Sequence, residues 1–137
     1  MRLSDVAKLF RGDDEKISVL AVLPETPDRV ALTGIAAKAK WNLRFAATCD
    51  LALADLKHHP AAVIICDRDL EPCDWREALP ALRAQCPNSR IILTSPGNDD
   101  RLWLEVIERG GYDVLTRPFH ENRVIQAVRL ASTEVRK

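Results

Sequence analysis

The chain has 137 residues and a mass of 15.4 kDa, enough for one hydrophobic core and too little for two. Hydrophobic residues make up 47% and charged residues 29%, which suits a globular protein and excludes a disordered or fibrous one. Lysine plus arginine and aspartate plus glutamate each total 20, so no net field draws the chain to nucleic acid or anionic lipid.

Residues 1–16 form an expected extension ahead of a domain spanning 17–137, and Val6, Leu9 and Phe10 could set a short amphipathic turn there. This stretch is charged and lacks the apolar middle of a secretion signal, and no apolar run is long enough to cross a bilayer. A cytoplasmic location is therefore expected. The run Ile17–Val22 predicts a first strand, followed by Thr26 as a cap, Pro27 at the first helical position, and Leu32, Ile35, Ala36 and Ala39 at helical spacing. Leu43–Ala47 predicts the second strand, and Asp50 is the expected cap of a short helix carrying Leu53 and Leu56 that Pro60 ends.

The third run, Ala62–Cys66, precedes a helix opened by the capping-box pair Asp74 and Glu77, with Trp75, Ala78, Leu79, Leu82 and Cys86 on its apolar face. Pro80 within it predicts a kink or a late start. After the fourth run, Arg90–Thr94, Asp99 or Asp100 can cap a helix bearing Leu102, Trp103, Val106 and Ile107 that Gly110-Gly111 stops. The fifth run, Tyr112–Thr116, leads to a last helix from about Glu121 with Val124, Val128, Ala131 and Val135 toward a core. Continuous, β-branched runs suit strands covered on both faces, and five strand–helix alternations imply a doubly wound parallel α/β sheet in three layers.

Cys49, Cys66, Cys73 and Cys86 include no Cys-x-x-Cys pair and have only His58, His59 and His120 as co-ligands, so reduced thiols acting as small hydrophobes are expected in place of a zinc site. In an open parallel sheet, functional groups gather beyond the carboxyl ends of the strands. Those ends carry Leu23-Pro24-Glu25, Asp67-Arg68-Asp69, Thr94-Ser95 and Thr116-Arg117-Pro118-Phe119. A carboxylate joined there by a hydroxyl and a cation could bind or accept a phosphoryl group, the carboxylate attacking phosphorus while the others hold its oxygens. A lone Asp67 would be an ordinary loop acid; its company argues otherwise.

Val63-Ile64-Ile65-Cys66-Asp67, with Leu70, Pro72 and Asp74 after it, resembles the phosphoacceptor segment of the receiver domains of bacterial response regulators, the CheY-like family. Ile91-Ile92-Leu93-Thr94-Ser95 resembles that family's hydroxyl-bearing strand. The run Gly110-Gly111-Tyr112-Asp113-Val114-Leu115-Thr116-Arg117-Pro118-Phe119 resembles its Gly-Ala-x-Asp-Tyr-Leu-x-Lys-Pro-Phe segment. The resemblance covers roughly residues 17–136 and implies a flavodoxin-like sheet in the order 2-1-3-4-5. It further implies a signalling module, not an enzyme, that takes a phosphoryl group on Asp67 from a histidine kinase or phosphotransfer protein in a two-component phosphorelay. Thr94 would be the switching hydroxyl and Tyr112 the aromatic that reports the switch. A downstream protein, or a second copy of the chain, would meet the face made by the fourth helix, fifth strand and fifth helix, where Trp103 is the candidate anchor.

Two departures bear on this chemistry. The acidic pair that receivers carry after the first strand is replaced by Leu23-Pro24, leaving Glu25, Asp67 and the carbonyl of Asp69 as candidate magnesium ligands, so magnesium is expected to bind weakly if at all. The usual lysine is Arg117, a planar fork in place of a compact ammonium, which could pair permanently with Asp67 and make the module a phosphorylation-independent pseudo-receiver. A flavin or small-molecule site is disfavoured, because Pro24-Glu25-Thr26-Pro27 offers few free backbone donors for phosphate. No output domain follows the last helix, so the effect is expected to pass through another protein.

Overall fold

A computed structural model describes residues 16–97 and 99–133, so the amphipathic turn expected at Val6, Leu9 and Phe10 lies outside the described residues. The apolar runs become β1 (Ser18–Val22), β2 (Asn42–Ala46), β3 (Val63–Asp67), β4 (Arg90–Ser95) and β5 (Asp113–Thr116). Between and after them run α1 (Pro27–Ala39), α2 (Cys49–His58), α3 (Trp75–Gln85), α4 (Asp100–Glu108) and α5 (Glu121–Thr133). The strands pair in parallel in the order β2-β1-β3-β4-β5, the flavodoxin-like arrangement expected.

Strand alternation divides the core into two layers. Val63 and Ile65 face α1 and α5 with Leu32, Val124 and Val128. Ile64 and Cys66 face α2, α3 and α4 with Leu56, Leu79, Leu82 and Val106. Every residue of β3 is buried, which explains why that strand reads as an unbroken apolar run up to its one carboxylate.

The helix starts follow short polar signals. Asp74 accepts a hydrogen bond from the Arg76 amide and Asp99 from the Leu102 amide, as their positions suggested. Thr26 makes no side-chain cap, so α1 relies on Pro27 at its start. Thr48, not Asp50, caps α2 by accepting from the Leu51 amide; Asp50 instead lies in the first turn, where its charge suits the helix dipole. Pro80 sits inside α3 without interrupting it, so the expected break or late start does not occur.

The turn from α4 into β5 brings backbone close to side chains at both of its glycines. Gly110 has φ of 94°, a left-handed conformation that favours glycine, and the Arg83 guanidinium donates to its carbonyl at 2.9 Å. A Cβ on Gly111 would stand 2.4 Å from Val106 Cγ1 and 3.2 Å from Leu79 Cδ2, inside the core layer beneath α4. Gly111→Ala should therefore destabilise the fold by about 1–3 kcal/mol, read from chemical denaturation. An unchanged midpoint would show that this corner has room to relax.

Candidate functional site at the carboxyl edge of the sheet

Parallel register brings the site together. Asp67 and Thr94 are direct partners at the ends of β3 and β4, and Ser95 pairs Thr116 one residue before Arg117. The loops leaving these strands stay anchored: the Arg68 amide donates to the Thr94 carbonyl at 2.8 Å and the Arg117 amide to the Ser95 carbonyl at 3.0 Å. Three residues distant in sequence are thus fixed by sheet hydrogen bonds before their side chains meet.

Asp67 is 5% exposed and Thr94 fully buried. Thr94 Oγ1 donates to Asp67 Oδ1 at 3.3 Å, and Arg117 Nη1 lies 2.5 Å from the same oxygen, a short charge-assisted hydrogen bond. The Arg117 guanidinium also faces two other carboxylates, with Nε 3.6 Å from Asp28 Oδ2 and Nη2 3.6 Å from Asp69 Oδ2. Arg68 grips Asp69 from the other side at 3.1 and 3.2 Å. Two guanidinium groups and three carboxylates therefore form one network in which Arg117, 17% exposed, is the hub. A carboxylate this deeply buried needs such a partner, because an uncompensated charge there would carry a desolvation cost of several kcal/mol.

Asp67, Thr94 and Arg117, expected from the strand ends, are brought together. Asp28 was not expected. It projects from the first turn of α1, and parallel strands followed by helices place every such turn at the carboxyl edge; Pro27 at the helix start was the signal that could have found it.

Magnesium was expected to bind weakly if at all through Glu25, Asp67 and the Asp69 carbonyl. Glu25 is exposed, and among the described residues no group of three or more His, Cys, Asp or Glu is arranged to hold a metal ion. The reason is local: the Leu23 carbonyl at the tip of β1 accepts from Arg29 at 2.7 and 3.3 Å, and Arg117 takes the centre of the carboxylates. This donor set does not fit magnesium, which wants several oxygen ligands free of competing cations.

One expectation, the placing of Tyr112, is corrected. Tyr112 precedes β5, its amide donates to the Ile91 carbonyl at 2.7 Å, and Arg90 stands 5.8 Å from its ring. That is the amino end of the sheet, opposite Asp67, because β5 runs from Asp113 toward Arg117. Counted back from Arg117, the tyrosine of the family segment corresponds to Val114, which is 2% exposed in the core beneath α4.

Beside the network, an open hollow of about 370 Å³ is lined by Arg68, Asp69, Asp74, Trp75, Arg76 and Leu102. On the outer side of α4, Trp103, Leu104 and Ile107 are 42%, 54% and 37% exposed, so Trp103 is a surface residue.

Comparison with known proteins agrees with this architecture. The family model described as the response regulator receiver domain matches residues 25–129. The chemotaxis protein CheY of Listeria monocytogenes is 26% identical over 70 residues, which is 51% of this chain and 59% of that protein. The chain thus spans less than two thirds of the curated relative it matches. A two-component response regulator from Clostridium difficile superposes with a TM-score of 0.80 at 16% identity, covering 89% of this chain and all of the other. CheY4 of Vibrio cholerae gives 0.77 at 21% identity, covering 85% and 98%. At these identities the two structures establish the shared fold. Among the described residues, no helix is long and apolar enough to cross a membrane.

Proposed function

Because this chain belongs to the response regulator receiver domain family, we propose that it serves two-component signalling as a protein-interaction module whose acceptor site is held in one charge-neutralised state by Arg117. One observation carries this reading: the Arg117 guanidinium is seated on Asp67 at 2.5 Å and shared with Asp28 and Asp69, where a phosphorylatable site would need a divalent cation. The positive charge is covalently part of the chain. It does not leave when conditions change, so Asp67 has little reason to alternate between two states.

Val114 at the position of the family's tyrosine points the same way, since an aliphatic core residue has no exposed alternative position that would repay leaving the core. The partner is another protein, and the face for it is the outer side of α4 next to β5 and α5. Trp103, Leu104 and Ile107 are exposed on α4, and Leu104 also lines an open hollow of about 730 Å³ with Arg101, Glu105, Glu108 and Arg109. An aromatic anchor with a mixed-charge rim is the composition of a protein interface. A histidine kinase, a phosphotransfer protein, a downstream effector or a second copy of the chain would be candidates for that face.

The second reading, phosphoryl transfer to Asp67, also has an observation in its favour. The hydrogen bonds from Thr94 and Arg117 both fall on Oδ1, and Thr94 stands ready to hold a phosphoryl oxygen. Incubation with acetyl phosphate and magnesium, followed by intact-mass measurement, separates the two. No phosphoryl adduct is expected on the wild-type chain. An adduct that disappears in Asp67→Ala would replace the first reading by the second.

A further inference from the structure

Val106 is the one buried residue of α4, whereas each of the other helices buries three or four. Most of the circumference of α4 therefore faces outward, and its composition is ordered. At about 100° per residue, Leu104 lies at the middle of the outer side, with Trp103 and Ile107 on one flank and Arg101 and Glu108 on the other. All five are exposed. Glu105 and Arg109 bond to each other, and Glu105 also holds Arg76 of α3. The Arg101 and Glu108 side chains, by contrast, make no ion pair among the described residues.

We propose that α4 docks against α4 of a second copy of this chain, antiparallel about a two-fold axis that passes beside Leu104. The inference rests on the reading above only in taking the outer side of α4 as the docking face.

The charge pattern selects the occupant. Arg101 and Glu108 are seven residues apart, about 10.5 Å along the helix and within about 20° of the same side. A two-fold axis perpendicular to the helix and midway between them brings Arg101 level with Glu108 of the second copy, and Glu108 level with its Arg101. Each unpaired charge thereby gains a partner of opposite sign. The same operation sets like flanks together, so Trp103 meets Ile107 of the second copy on the apolar side and the two Leu104 side chains meet at the centre. A uniformly acidic or basic partner would satisfy one of the two charges and repel the other; a second copy satisfies both. The helix has only nine residues, so its one face falls short of the roughly 800 Å² per partner that stable complexes bury, and the pair forms weakly as concentration rises.

Sedimentation of the full chain from micromolar to millimolar concentration, without a phosphoryl donor, tests this. Wild type should pass from monomer to dimer across that range. Arg101→Glu and Glu108→Arg should each weaken association by about tenfold or more, because both pairs across the axis become repulsive, and the double swap should restore it. Leu104→Asp, which sets two carboxylates face to face at the axis, should abolish the dimer. The substituted side chains are exposed, so each variant should keep the wild-type melting temperature. A chain that stays monomeric throughout would leave this face to a different protein and overturn the proposal, as would a dimer that survives Leu104→Asp or is not restored by the double swap. The two readings fail separately: a phosphoryl adduct on Asp67 would end the locked site and leave the dimer, and a monomer would end the dimer and leave the lock.

Discussion

Arg117→Ala should cost about 3–5 kcal/mol of folding stability, the amount lost when one partner of a buried ion pair is removed and the other remains charged. In a domain of this size that lowers the melting temperature by on the order of 10 °C. The substitution leaves Asp67, 5% exposed, near Asp28 and Asp69 with no cation between them. Thr94 alone cannot compensate, since a neutral hydroxyl at 3.3 Å offsets only part of the desolvation of a carboxylate. Arg117→Lys should be intermediate, because an ammonium keeps the charge but cannot reach Asp28, Asp67 and Asp69 at once as the guanidinium fork does. Thermal unfolding of the three proteins in one buffer ranks them; equal stability of wild type and Arg117→Ala would mean the pair contributes nothing.

Trp75→Ala should be of similar size, about 3–5 kcal/mol, for a different reason. Trp75 is 3% exposed at the start of α3, in the core layer with Leu70 and Leu79, and its ring also lines the hollow beside Asp69. Arg76 and Arg109 lie 4.9 and 6.0 Å from the ring centroid, and Arg76 and Arg109 both bond Glu105 of α4, holding its carboxyl below the usual range. Truncation would leave a cavity and remove the apolar plate against which this α3–α4 clamp rests. Trp75→Phe keeps most of the volume and should cost less than half as much. Denaturant midpoints of the two variants check the order, and equal losses would show that filling this volume is not what Trp75 contributes.

The sequence disclosed the site wherever chemistry sat at the end of an apolar run. Asp67, Thr94 and Arg117 each follow a strand directly, and parallel pairing converts equal strand ends into spatial neighbours. Asp28 was hidden because it comes five residues after Leu23, within a helical pattern where an acid reads as a solvated first-turn residue. Tyr112 was misplaced because the run Tyr112–Thr116 looked like one strand, whereas its direction puts only the Thr116 end at the functional edge. For Trp103, Val106 and Ile107 the helical pattern could not decide which side meets the core. The structure buries Val106 and leaves the other two outward. In α3, propensity overstated the effect of Pro80, because packing of Trp75, Ala78, Leu79 and Leu82 against the sheet holds the helix through the missing donor.

The most direct test of the charge-neutralised site is a double-mutant cycle on Asp67→Asn, Arg117→Ala and their combination, measured by denaturant unfolding. Pairing predicts a coupling of about 2 kcal/mol or more, with Asp67→Asn restoring much of what Arg117→Ala loses because the orphaned charge is gone. Additivity within about 0.5 kcal/mol would contradict the account, since Arg117 would then stabilise the fold without acting on Asp67.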